Sequence, residues 1–381
     1  MEAKRRKHLL RASCLSLLLL MFWAAKGLGA AAYRYQDLGI LQDSYFSWAG
    51  GINDRGQVVG YSGTKCADGN YEPHAVSTTA AGPMEDLGTL AGGQSIADGY
   101  LSGANGINNG GQAVGWSAAI LADGTFAQHA FLWTAAGGLQ DLGTLGGDTA
   151  GATAINASGQ VVGWSSTILP GGALAQRAFL WTAGGDMQDL GTLGGDSWAY
   201  GLNSNGQVVG AAATVSPDGT LVEHAFVRTA GGGLQDLGTL GGGNSSAGAI
   251  NDRGQIVGSA DTAAGQPHAF LRTIAGAMLD LGTLGGGTSG ANGINGSGQV
   301  VGWSTVIIPG GTQQHAFLWT AAEGLQDLNT LVINPPSGDF LLDARAINDT
   351  GKIVGSTNKG RAFLLTPINT MPPVMELLLL N

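Results

Sequence analysis

Cysteine is almost missing from this 381-residue chain, which has only Cys14 and Cys66. Cys14 falls in an N-terminal leader described below. Cys66 is then left without an intrachain partner, and a disulfide framework is excluded. Charge is scarce, at 12% of residues, and lopsided, with 17 Lys and Arg against 27 Asp and Glu. So few cations give no electrostatic footprint for nucleic acid or for an anionic membrane surface. Long apolar runs are missing too. The longest, Cys14 to Ala25, covers about 12 residues where a spanning helix needs roughly 20. Glycine, by contrast, is abundant at 67 residues, while hydrophobic residues stand at an ordinary 44%. That mixture supports a packed core with many tight turns and argues against long helices.

Residues 1–32 read as a cleaved secretory signal peptide. Lys4, Arg5, Arg6, Lys7 and Arg11 form a basic start, the apolar run follows, and Ala30-Ala31-Ala32 offers small residues before Tyr33. Setting this segment aside removes six basic residues and one acid, leaving a mature chain of net charge −15. A secreted or periplasmic location is expected, with no membrane span in the mature chain.

Three signals then recur seven times each. Asp-Leu-Gly, or a near copy, begins at Asp37, Asp86, Asp141, Asp189, Asp236, Asp280 and Asp327, at spacings of 49, 55, 48, 47, 44 and 47 residues. Ile-Asn or Leu-Asn ends at Asn53, Asn108, Asn156, Asn203, Asn251, Asn295 and Asn348, before a turn and a Val-Val-Gly-like strand. His-Ala-Phe or a variant starts at His74, His129, Arg177, His224, His268, His315 and Arg361. Within one unit these signals mark four short strands separated by turn residues, which is the pattern of a β-propeller blade. Their order carries more. The mature chain opens on a lone Asp-Leu-Gly strand, residues 33–39, and the last repeat stops before its own. An open solenoid gains nothing from that displacement, whereas a circular fold closes by it. The expected fold is all-β: one seven-bladed propeller of four-stranded antiparallel blades over residues 33–366, with the N-terminal strand completing the last blade. The tail, 367–381, with Val374-Met375 and four leucines, competes for that same edge but lacks Asp-Leu-Gly.

The combination of His-Ala-Phe-Leu-Trp-Thr, Leu-Gly-Thr-Leu-Gly-Gly and Ile-Asn-x-x-Gly-Gln-Val-Val-Gly resembles the bacterial HAF family of extracellular repeat proteins. Residues 128–167 and 315–319 carry the pattern almost unbroken, and it covers about 33–366. Val76 replaces Phe, Arg177 and Arg361 replace His, Leu202 replaces Ile, and Asn329 replaces Gly. The resemblance implies secretion and a repeat architecture; it brings no activity and no site residues.

Residues common to all units build blades; residues unique to one unit are free for local roles. The recurring His cannot be a metal set, because Arg takes its place twice and equivalent positions on separate blades do not converge. Both residue types donate charge-assisted hydrogen bonds, and the Asp of the outer strand is the expected acceptor. The recurring Asn precedes tight turns, where its side chain replaces a backbone acceptor. No metal site and no cofactor is expected. Gly-x-Ser-x-Gly, His-Glu-x-x-His, phosphate-loop and calcium-loop patterns are all missing. What varies is the connection from each outer strand to the next inner strand. Asp43-Ser-Tyr45-Phe46-Ser-Trp48, Asp98-Gly-Tyr100 and Asp196-Ser-Trp198-Ala-Tyr200 set aromatic faces beside carboxylates, as a sugar-binding surface would. Tyr45, Trp48, Tyr100, Asp196, Trp198 and Tyr200 are therefore the candidate ligand residues, set against a bland alternative in which the rings fill gaps between blades. The function read from this is a secreted, non-enzymatic binder of an extracellular ligand, glycan ahead of protein. One alternative is a polysaccharide-acting enzyme using Asp43, Asp98, Asp148, Asp196 or Asp339; another is a structural surface component.

Overall fold

The computed structural model describes residues 33–368 apart from 43, 66–70, 80, 93–100, 217, 274–275 and 336–337. The expected leader, the tail from 369 onward, Cys66, Asp43, Asp98 and Tyr100 lie outside the described residues. Seven four-stranded antiparallel blades form a ring, and the fold is an all-β seven-bladed propeller. Six blades have their strands in sequence order, and the seventh is completed by the N-terminal strand. Blade 3 is representative: Ala150–Ile155 lines the axis, followed outward by Val161–Ile168, Leu174–Trp181 and Gln188–Asp189. Among the described residues the one helical element is a single 3-10 turn, Leu328–Thr330.

The ring closes where the displaced strand predicted. Tyr33–Asp37 pairs antiparallel with Ala362–Pro367, in the register Tyr33↔Pro367 to Asp37↔Phe363, and forms the rim of blade 7. A fifth strand, which the repeat pattern did not reveal, covers this edge: Val332–Ile333 pairs in parallel with Tyr33 and Arg34. It comes from the long connection between blades 6 and 7, where Asn329 stands in place of glycine. The Asn329 side chain bonds both polar groups of the Leu341 backbone, at 2.8 and 3.1 Å, and so ties the rim of blade 6 to blade 7. Tyr33 itself is buried among Leu318, Leu328, Val332, Leu341 and Leu365.

Between blades the core is made of small and aliphatic side chains around one buried phenylalanine of the third strand, as with Phe131, Phe179 and Phe226. Each Val-Val-Gly glycine has a steric cause. A Cβ on Gly163 would overlap the carbonyl of Gly151 on the inner strand, and Gly115, Gly210 and Gly302 meet their partners in the same way. Opposite that glycine each inner strand carries a β-bulge, at Thr153 in blade 3.

Two sets of polar side chains recur. At the rim, His129 Nδ1 lies 2.8 Å from Asp141, and His74, His224, His268 and His315 make the same contact at 2.7–2.9 Å. Arg361 reaches Asp37 at 3.1 Å, while Arg177 stands 3.9 Å from Asp189. At the axis, the Asn156 amide uses all of its hydrogen-bonding capacity. Its Oδ1 accepts from the N–H groups of Ser158 and Gln160 within the turn, and its Nδ2 donates to Gln160 Oε1 at 2.8 Å. The second Nδ2 hydrogen goes to the next blade, to the Asn203 carbonyl at 3.1 Å. The same step repeats from Asn203 to Asn251, Asn295 and Asn348, and from Asn53 to Asn108 to Asn156. Asn348 donates to the Asn53 carbonyl at 2.9 Å, which closes the circle.

The rim contacts generate a pH-dependent prediction. Burial pushes Asp141 up, but hydrogen bonds from His129 and the Gly143 N–H outweigh it, so the carboxyl ends below its ordinary 3.8; Asp86 behaves alike. A depressed carboxyl contributes stability that is present above the unfolded value and lost as pH falls through the folded one. His129→Phe should therefore cost roughly 1 kcal/mol or less at pH 7, because Asp141 is partly exposed. The difference from wild type should shrink as pH drops below 3.8. Melting curves that are unchanged at pH 7 would remove the interaction from the account.

Candidate ligand-binding channel

The axis of the ring is a channel with two ends. At the turn end, the asparagine ring frames a cavity of about 360 Å³. Toward the loop end, where the connections into each inner strand emerge, a second cavity of about 240 Å³ lies at the level of the bulges. Ile52, Ile107, Ile155, Leu202, Ile250, Ile294 and Ile347 line both and form an apolar collar between them.

The bulge decides which side chain enters the upper cavity. In each blade it is the third residue before the turn asparagine: Gly50, Asn105, Thr153, Tyr200, Gly248, Asn292 and Arg345. In a molecule whose surroundings repeat sevenfold, this ring does not repeat. Three of its members also bridge to the following blade. Asn105 Nδ2 donates to the Ala152 carbonyl at 2.8 Å, Thr153 Oγ1 to Ala199 at 2.8 Å and Asn292 Nδ2 to Ala344 at 2.9 Å.

Of the predicted ligand residues, Tyr200 belongs to this ring. Burial, with the nearby Glu223 charge as a second cause, pushes its hydroxyl up to about 12, so it enters the cavity as a neutral donor and acceptor. Burial also raises the Glu223 carboxyl. Tyr45 and Trp48 are joined by two rings that sequence reasoning left out. Tyr45, 64% exposed, meets Phe46 edge-on at 5.0 Å, and Phe46 meets Tyr61 at 6.3 Å. Tyr61 stacks on Trp48 at 5.9 Å and 8°. On Trp48 lies the Arg345 guanidinium, its carbon 4.4 Å from the ring centroid. An aromatic ladder thus runs from the surface loop of blade 1 to the channel. Arg345 Nε is 2.6 Å from the buried Asp343 carboxylate, which also accepts from Asn292 Nδ2 at 2.7 Å. Burial pushes Asp343 up, and Arg345 and Asn292 pull against it without cancelling the rise.

Asp196 and Trp198 have neighbours within the blades. Asp196 Oδ1 accepts the Gln176 N–H at 2.9 Å and lies 3.6 Å from Arg177, so it ties blade 4 to blade 3. Trp198 sits opposite Ala211. At the same rung blades 2, 3 and 6 reverse the pair, with Gly103 opposite Trp116, Gly151 opposite Trp164 and Gly290 opposite Trp303. A Cβ on those glycines would come within 2.8–3.1 Å of the indole. Each of these pairs therefore holds one indole, on one strand or the other. Arg345, Asp343 and Asn292 were missed because each lies inside a strand. Reading the third position before every turn asparagine across the seven units would have found Arg345 and Asn292.

No family model and no curated protein matches the chain. Among solved structures it is similar to TolB from Acinetobacter baumannii, with a TM-score of 0.41 and 13% identity over 82% of this chain and 80% of that one. It is also similar to the β-propeller domain of the Trilobed protease from Pyrococcus furiosus (TM-score 0.39, 10% identity, 75% of this chain and 96% of that one). A puromycin-hydrolyzing peptidase of Mycobacterium tuberculosis gives a TM-score of 0.44 at 12% identity, over 91% of this chain and 58% of that one. These likenesses concern shape alone.

The indole pairing predicts a rescue. Trp164→Ala should cost about 2 kcal/mol, less than the ~3–5 of a fully buried ring. Adding Gly151→Trp, which copies the arrangement of blade 4, should restore at least half of that loss in chemical denaturation. A double variant no more stable than the single one would show that Trp198 is not a packing equivalent of Trp164.

Proposed function

We propose that this chain is a secreted, non-enzymatic β-propeller that binds an extracellular glycan at the loop end of its channel. The observation that carries the reading is the bulge ring. It is a level of the axis where the repeat breaks, and it brings Tyr200, Arg345, Asn105 and Asn292 to the same cavity. An aromatic face beside fixed polar groups, donors and acceptors both, suits a polyhydroxylated ligand. The basic start and apolar run of residues 1–32, together with the HAF-like repeats, support secretion.

A protein partner is the second reading, and a separate feature favours it. The hairpins of blades 2, 3 and 4 that rise beside the loop end carry exposed apolar pairs: Ile120 with Phe126, Ile168 with Leu174 and Val215 with Leu221. The enzyme alternative has less support, since two of its carboxylates are already engaged, Asp196 by the Gln176 N–H and Asp339 by the Phe340 N–H. A purely structural role does not account for a bulge ring that varies while the blades around it do not.

Glycan-array binding by the secreted product of the full chain tests the proposal. Tyr200→Ala should abolish a positive signal, while Trp198→Ala should leave it in place if the variant melts cooperatively. No binding by a folded protein would reject the glycan and turn attention to the hairpins.

A further inference from the structure

Resting on that glycan reading, we propose that the channel recognises a carboxylate on its ligand, the uronic acid unit of an acidic glycan, through Arg345. Arg345 is the one charged residue among those described as lining the 240 Å³ cavity. It stands there in a chain with 17 basic residues against 27 acidic ones.

The guanidinium is held on two sides. Its face rests on Trp48, which is itself stacked on Tyr61. Its Nε edge meets Asp343, which Asn292 fixes from blade 6. Among the described residues, its two terminal nitrogens donate no hydrogen bond to the protein. What remains open is the flat pair of N–H groups that matches a carboxylate bidentately. Trp48 and Asp343 fix the side chain before a ligand arrives, so little rotamer freedom is left to lose on binding.

Charge and size narrow the class. The Asp343 carboxylate is 5% exposed and lies behind the guanidinium, so a ligand meets the cation and not its partner. One partly compensated cation suits a monoanion. A dianionic phosphate would need a second cation, and the cavity lining supplies none. A cavity of about 240 Å³ lies below the roughly 300–1,000 Å³ of drug-sized sites, which points to one sugar unit and not a threaded chain. Tyr200, three blades round the ring from Arg345, offers that unit an aromatic face.

The test is calorimetric titration of the full chain with trigalacturonate and, separately, with neutral galactotriose, at two salt concentrations. Trigalacturonate should bind more tightly, and the preference should weaken as salt rises. Arg345→Met should weaken its binding at least tenfold. Arg345→Lys keeps a charge beside Asp343 and guards against misfolding, yet loses the fork; it should weaken binding by roughly five- to tenfold. Equal binding of the two sugars, or full affinity in Arg345→Met, would overturn the carboxylate inference and leave the glycan reading standing. Binding of neither sugar by cooperatively melting wild-type protein would overturn both.

Discussion

Each turn asparagine donates one amide hydrogen to the carbonyl of the next asparagine round the axis. All but Asn348, whose turn carries Lys352, donate the other to a glutamine of their own turn. Because the seventh donates to the first, the contacts form a circle and not a chain with two ends. The side chains are buried, at 3–6% exposure, so each carbonyl would be left without a partner if its donor were lost. Inner-strand serines add a second set of ties between blades, as where Ser102 Oγ accepts the Ala75 N–H at 2.8 Å. The asparagine ring places a hydrogen bond of similar length at the same point of every blade, at the axis itself. This ring frames the cavity at the turn end of the channel.

The channel chemistry follows from the same geometry. The turn fixes the end of the inner strand, and the Val-Val-Gly glycine lets the second strand press against the inner one. The bulge between them turns one extra residue toward the axis. The residue at that position lines the channel, and three of the seven also bond the following blade. A side chain on Gly50 would press on the Ala104 carbonyl of the next blade. The repeat scaffold places Gly, Asn, Thr, Tyr or Arg at the same depth. Arg345 adds a second layer, since it is oriented by Asp343 from its own blade and Trp48 from the next. The surroundings of Arg345 are thus built across the closing junction of blades 6, 7 and 1.

Much of the fold was legible because repetition replaces an alignment. The lone N-terminal strand gave away circular closure, and the exchange of His for Arg pointed to a shared acceptor. The asparagines were only half legible. Their turn role is local and readable, whereas the donor that crosses to the next blade joins residues 44 to 55 positions apart, or 295 at the junction. The candidate site was legible in its loops but not in its strands. Aromatic residues beside Asp drew attention to Trp198 and Asp196, which pack and bridge. Asp343 and Arg345 lie in a segment that reads as an ordinary inner strand until the bulge is known. The fifth strand at Val332–Ile333 was hidden for a similar reason: its two residues carry no periodicity of their own.

The most direct test of the ring is Asn156→Asp, which keeps the turn acceptor and removes both amide donors. The measurement is native-state hydrogen exchange of the inner-strand amides of blades 3 and 4, beside chemical denaturation. If the ring holds the blades in register, the variant should lose about 1–3 kcal/mol. Protection should fall on both blades, since the lost donor belongs to one and its acceptor to the other. Wild-type stability, or a loss confined to the turn at 156–160, would show that the asparagine serves its own blade alone and that packing closes the ring.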